Sequence, residues 1–147
     1  MRAVIQLVRE ASVTVEGKPV SSIGPGLLVL LGIKKDDTEK EQDYLIKKIV
    51  NLRVFPDEQS CMNKSVGDVE GEILLVSQFT LYGDCKKGNR PSFVDAMAPQ
   101  TAKEYYDRFA ASLKAVYPKV KEGVFGASMQ VRLLNDGPVT IVIDTAK

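Results

Sequence analysis

Two short, almost unbroken apolar runs constrain the fold more than anything else in this sequence. Residues 27–33 (Leu-Leu-Val-Leu-Leu-Gly-Ile) and 73–76 (Ile-Leu-Leu-Val) are too short for buried helices and are bounded by glycine and polar residues. Runs of this kind predict central strands covered on both faces. Residues 4–9 and 11–16 read as further strands. In the second, Ala11, Val13 and Val15 alternate with Ser12, Thr14 and Glu16, the period of a sheet with one wet face. Gly17-Lys18-Pro19 is a turn, residues 20–23 a short return strand, and Gly24-Pro25-Gly26 another break.

Thr38 with Glu41 forms a capping box that opens a helix. Leu45, Ile49 and Leu52 lie on one face with Ile46 and Val50 beside them, and Lys47 and Lys48 face solvent. Residues 53–56 resemble a short strand and residues 57–71 a polar, turn-rich connection. Thr101 with Glu104 predicts a second capping box, and Ala102, Tyr105, Tyr106, Phe109, Leu113 and Val116 an apolar stripe that ends before Pro118. Met129, Val131 and Leu133 alternate with polar residues, and residues 139–144 form a last strand. Between them Asn135-Asp136-Gly137 reads as a hairpin turn. About eight strands and two long helices predict one α+β domain over residues 1–147: a strongly curved, largely antiparallel sheet or partial barrel with helices against it. Such a sheet leaves edges and apolar surface that a homodimer would hide.

Composition narrows the chemistry. The chain has no histidine, which excludes a Ser-His-Asp or Cys-His pair, a histidine base and most catalytic zinc sites. Its 20 basic and 19 acidic residues give a net charge of +1, so a nucleic-acid partner requires a local basic patch. Lys86, Lys87 and Arg90, in the loop 83–99, are the candidate; three loop cations also fit plain solvated surface. Cys61 and Cys85 show no metal or disulfide spacing and read as free thiols of a reducing compartment. No apolar run approaches the roughly 20 residues that cross a bilayer, and Met1-Arg2-Ala3-Val4 opens no signal peptide. A cytoplasmic protein without a membrane partner is expected.

The strand at 73–76 leaves the core through Ser77-Gln78-Phe79-Thr80-Leu81-Tyr82-Gly83. Hydroxyl and amide groups thus sit at the rim of a rigid sheet, either facing water or forming a site. Asn135-Asp136-Gly137-Pro138-Val139-Thr140 is the second unusual stretch, because a proline there removes an N–H where a strand begins. Only about 5–6% of X-Pro bonds in folded proteins are cis, so by itself the segment reads as a trans turn.

Ser77-Gln78-Phe79-Thr80-Leu81 together with Asn135-Asp136-Gly137-Pro138-Val139-Thr140 closely resembles the D-aminoacyl-tRNA deacylase family, called D-tyrosyl-tRNA deacylases in older usage. Arg90-Pro91-Ser92-Phe93, Phe125-Gly126-Ala127 with Met129, and Ala11-Ser12-Val13-Thr14-Val15 extend the resemblance over essentially the whole chain. It implies a homodimer that hydrolyses the ester between a D-amino acid and the terminal ribose of tRNA. It also implies no cofactor and no metal, and tRNA rather than DNA as the partner. Ser77, Gln78, Phe79 and Thr80 would line the reacting end, with Phe125 and Met129 alongside. Gly137-Pro138, cis in the family, would come from one subunit to complete the pocket of the other.

The residue chemistry agrees with that assignment. An aminoacyl ester is activated, so a site without histidine suffices. Backbone N–H groups of Gln78, Phe79 and Thr80 at the strand end would hold the oxyanion if preorganised. No base is evident for Thr80, which favours direct attack by water assisted by the substrate 2′-hydroxyl. A wall at Gly137 and Pro138 would reject L side chains by clash and admit glycine. Two other readings stay open: a non-catalytic tRNA-binding module, and a small-molecule esterase with Thr80 as nucleophile.

Overall fold

A single 14-residue strand, β1 (Arg2–Val15), is the spine of the computed structural model, which describes residues 1–146. One edge of β1 serves two partners. Arg2 to Val8 pair antiparallel with β3 (Gly26–Gly32), and Ala11 to Val15 pair with β2 (Lys18–Ile23). Glu16 and Gly17 make the turn between β1 and β2 with φ of 50° and 75°.

After β3 come α1 (Glu39–Asn51), the short strands β4 (Phe55–Pro56) and β5 (Met62–Lys64), which pair with each other, and β6 (Glu72–Ser77). A 3-10 turn (Phe79–Tyr82) follows, then α2 (Pro99–Val116), β7 (Val120–Glu122) and β8 (Met129–Asp144). The main sheet runs β2-β1-β3-β6-β7, with β8 on the other edge of β1. β3–β6 and β6–β7 are parallel, whereas β1 pairs antiparallel with β2, β3 and β8, so the sheet is mixed and, as expected, largely antiparallel. The helices supply the crossovers that parallel pairs require. The sheet curls nearly closed: Ser21 Oγ of β2 donates to Glu122 O of β7 at 2.8 Å, and Lys121 Nζ to Ser22 O at 2.8 Å.

Both faces carry a core, which is why β3 and residues 73–76 of β6 are apolar. Leu27, Val29, Leu31, Ile73 and Leu75 pack toward the helices with Leu45, Ile49, Tyr106, Phe109 and Leu113. The residues between them, Leu28, Leu74 and Val76, pack inside the curl with Val8, Val13 and Ile23. Strand periodicity alone produces this division. No helix is long and apolar enough to cross a membrane among the described residues.

Three sequence expectations are corrected. Eight strands are observed among the described residues, but not the eight expected: 4–9 and 11–16 are one strand, as are the two C-terminal ones, while β5 and β7 were unforeseen. The box at Thr38 and Glu41 is present; that at Thr101 and Glu104 is not. Helix α2 begins three residues earlier, at Pro99, with Ala98 as an N-cap that makes no side-chain bond. Proline at the first helical position has its φ preset and no N–H to satisfy, so it starts the helix unaided. Val116, expected in the buried stripe, is 60% exposed.

The third correction concerns Asn135-Asp136-Gly137. It is not a hairpin, because the segments on either side pair with the same strand, β1. Between the pairs Gln6–Thr140 and Val8–Asn135, one β1 residue faces four of β8, and the surplus is extruded as a bulge. Asn135 Nδ2 ties its neck, donating to Leu7 O at 2.9 Å and Val139 O at 3.0 Å. Asn135→Ala leaves both carbonyls short of a partner and is expected to cost about 1–3 kcal/mol, read from urea unfolding.

Candidate active site

The site is built on the C-terminal end of β6. Ser77 lies opposite Leu31 in the parallel ladder, and the next N–H, that of Gln78, donates to Leu31 O at 2.7 Å. The chain then tightens into the 3-10 turn. Gly32 makes room for it: a β-carbon there would lie 3.1 Å from Leu81 Cβ and 3.2 Å from Gln78 O. Like any short helix, the turn leaves its first N–H groups unbonded. Among the described residues neither Phe79 nor Thr80 donates a backbone hydrogen bond. The Gln78 N–H is spent inside the sheet, so only the other two are available to an incoming oxygen, fewer than the sequence implied.

The Gln78 side-chain amide donates to Thr80 Oγ1. That bond orients the hydroxyl without drawing off its proton, so Thr80 is held and not activated. The Phe79 ring is 58% exposed and meets Phe93 edge-on at 5.2 Å between centroids. Arg2, which the sequence did not single out, fixes the far end of the turn. Its Nη1 donates to Leu81 O at 2.6 Å, its Nε to Asp144 Oδ2 at 2.8 Å, and its guanidinium lies 4.8 Å from the Tyr82 ring. Burial pushes the Asp144 carboxyl up, but the Arg2 hydrogen bond, the Ala146 N–H and the charges of Arg2 and the N-terminus together hold it below its ordinary range. Burial, with Asp37 and Asp144 nearby, drives the Tyr82 phenol far above its usual value.

Phe125 and Met129 come near Leu75 and Val76 of β6, each in a different one of the two cores. Gly123 N–H donates to Leu75 O at 3.0 Å, and a β-carbon on Gly123 would fall 2.6 Å from Met129 Sδ and 3.7 Å from Val76. Phe125 packs on Tyr106, centroids 5.6 Å apart, and the Tyr106 hydroxyl donates to Leu75 O at 3.4 Å. Lys86, Lys87 and Arg90 are exposed on a loop whose neck is closed by reciprocal Asp84–Ser92 backbone bonds of 2.8 and 2.9 Å. That neck adjoins Gly83, whose N–H donates to Thr80 O at 2.9 Å.

Gly137 and Pro138 are not brought to this cluster. They sit at the level of Leu7, whereas Ser77 is level with Leu31 and Ala3. Four residues along the strand at about 3.3 Å and three strand spacings of about 4.8 Å put them roughly 20 Å apart along the sheet. Both are exposed, and Gly137 has φ 115°. No peptide bond is cis among the described residues, so the expected cis Gly137-Pro138 bond is corrected to trans. Trans is the form that an X-Pro bond prefers by about 0.5–1 kcal/mol.

Sequence signals for the missed groups were weak. Arg2 acts on residues far along the chain, and nothing local to it announces that role. Gly32 looks like an interruption of an apolar run and is a contact point for the turn.

Residues 4–144 match the family described as D-Tyr-tRNA(Tyr) deacylase. A D-aminoacyl-tRNA deacylase of Thermosipho africanus (strain TCF52B) is 55% identical over all of this chain and 99% of its own length, and one of Clostridium novyi (strain NT) is 54% identical with the same coverage. A solved structure described as c-Myc DNA Unwinding Element Binding Protein superposes with a TM-score of 0.95 at 49% identity, covering 100% of both chains. A probable eukaryotic D-amino acid tRNA deacylase shares the fold, with a TM-score of 0.84 at 20% identity and 97% coverage of each chain.

Proposed function

The chain belongs to the D-Tyr-tRNA(Tyr) deacylase family, and from that premise we propose that it hydrolyses the ester joining a D-amino acid, or glycine, to the terminal ribose of tRNA. Free amino acid and tRNA leave, and the reaction serves as a chiral check on translation in the cytoplasm. The observation that carries this reading is the turn at the end of β6: two unspent N–H groups beside a hydroxyl that an amide holds in place. The test is deacylation of D-tyrosyl-tRNA against L-tyrosyl-tRNA. Release from both, or from neither, removes the reading.

The steps follow from the groups present. Water attacks the ester carbonyl, and the Phe79 and Thr80 N–H groups receive the charge that develops on oxygen. One such donor contributes about 3–4 kcal/mol when preorganised. The substrate 2′-hydroxyl supplies the proton relay that the protein, lacking histidine, does not. Ser77 and Gln78 frame the reacting end, and Phe125 and Met129 close its side. Thr80→Ala is expected to keep kcat within about tenfold, while a 2′-deoxy terminus slows hydrolysis about 100-fold or more, within the usual range for a proton-transfer group. The reverse pattern makes Thr80 the nucleophile.

Chirality requires a second copy. Gly137 and Pro138 of the partner subunit supply the wall against the substrate α-carbon. Two observations support this. In one protomer these residues stand far from Thr80, and among the described residues the outer edge of β8 pairs with no strand while Leu134 is 52% and Val142 60% exposed. A long open edge beside apolar side chains is a surface that association covers. Lys87 and Arg90 meet tRNA phosphates, with Lys86 beside them on the same loop. The near-neutral charge of the chain gives no reason to prefer duplex DNA.

A further inference from the structure

Beyond the turn lies a cavity of about 440 Å³ lined by Arg2, Tyr82, Gly83, Asp84, Cys85, Lys86 and Asp95. It touches none of Ser77, Gln78, Phe79 or Thr80, yet its Gly83 wall is three residues past Thr80, about 6 Å in 3-10 geometry. Tyr82 is 6% exposed, and its hydroxyl is buried without a hydrogen-bond partner among the described residues. A buried polar atom of that kind costs stability unless something arrives to bond it.

The lining offers both donors and acceptors. Arg2 and Lys86 bring cations, Asp84 and Asp95 carboxylates. Asp144 already neutralises Arg2 at 2.7 Å, and Lys35 stands 3.2 Å from Asp95. A phosphate would face two carboxylates, a juxtaposition that costs several kcal/mol. A neutral ligand with donors and acceptors along one edge suits the cavity. A cytosine edge is such a ligand, since its exocyclic amine donates to Asp and its ring acceptors take Lys, Arg or Tyr. Unstacked bases of single-stranded RNA are read in this way.

We propose that this cavity seats the cytosine next to the terminal adenosine of tRNA, with Tyr82 and Lys86 as specificity-determining residues. The inference rests on the deacylase reading and assigns it a second contact, to the nucleotide before the ester.

The experiment compares D-tyrosyl esters of adenosine, of the dinucleotide CpA, and of the same dinucleotide without the cytosine base. KM is expected to fall about tenfold from adenosine to CpA and to return when the base is missing. Tyr82→Phe and Lys86→Ala are each expected to erase the gain, so that the ratio of KM for the two intact esters approaches one. Tyr82→Phe should do so with a urea midpoint equal to or above that of the parent protein, a sign opposite to that of a lost structural bond. Equal KM for all three esters, a gain that survives loss of the base, or a gain untouched by either substitution overturns the subsite and leaves the deacylase reading standing. Failure to hydrolyse the adenosine ester brings down both.

Discussion

Gly137→Ala is expected to lower kcat/KM on D-tyrosyl-tRNA about 100-fold or more while the protein still folds. Gly137 has φ 115°, where an L side chain is strained, and a β-carbon there would sit 2.9 Å from Val139 Cγ2. Strain of this kind costs about 1–3 kcal/mol, and relief requires the bulge tip to move. The tip is exposed and tied at its neck by Asn135, so the movement stays local and the sheet survives. Displacing a substrate-facing wall by about 1 Å is enough for a loss near 10². On the proposed cross-subunit wall, the added methyl would also stand against the substrate α-carbon. Single-turnover deacylation of D-tyrosyl- and glycyl-tRNA, beside urea unfolding, checks the point. Unchanged kcat/KM on both substrates would remove Gly137 from the pocket.

Gly26→Ala should have the largest effect on folding. Gly26 opens β3 at its junction with Glu72, and a β-carbon would lie 1.8 Å from Glu72 O and 2.7 Å from the Glu72 carbonyl carbon. Both obstacles are backbone of a central strand, so no rotamer change relieves them. The substitution separates β3 from β6 where both are buried on two faces. A cost above about 4 kcal/mol is expected, much of the roughly 5–15 kcal/mol that a domain has. Soluble yield and the urea midpoint measure it. Gly24→Ala, whose nearest contact would be an ordinary 3.8 Å, is the control. A Gly26→Ala variant within 1 kcal/mol of the parent would mean that β3 and β6 do not meet at this register.

What could be read from the sequence was whatever neighbouring residues decide. The box of Thr38 and Glu41 closes within one turn and was legible; that of Thr101 and Glu104 had the same letters but lost to Pro99. The double-sided burial of residues 27–33 and 73–76 followed from their composition. Asn135-Asp136-Gly137 carries real turn chemistry, but whether it makes a hairpin or a bulge depends on which strand the flanks choose, and both chose β1. The reacting end was legible as a polar strand exit. Its conversion into a 3-10 turn, the use of the Gln78 N–H by Leu31 and the brace from Arg2 were not. Each of those depends on a residue distant in the chain, and no local pattern encodes it.

The pairing of β1 with β8 has a consequence for biosynthesis. Arg2 bonds to Asp144, so the first strand to leave the ribosome waits for the last. At about 5–20 residues per second, that interval is on the order of 7–28 s. Until it closes, the nascent sheet carries one vacant ladder on its oldest strand. Contacts so distant in sequence slow folding, and translation rate and chaperone supply therefore bear on the yield of this small domain.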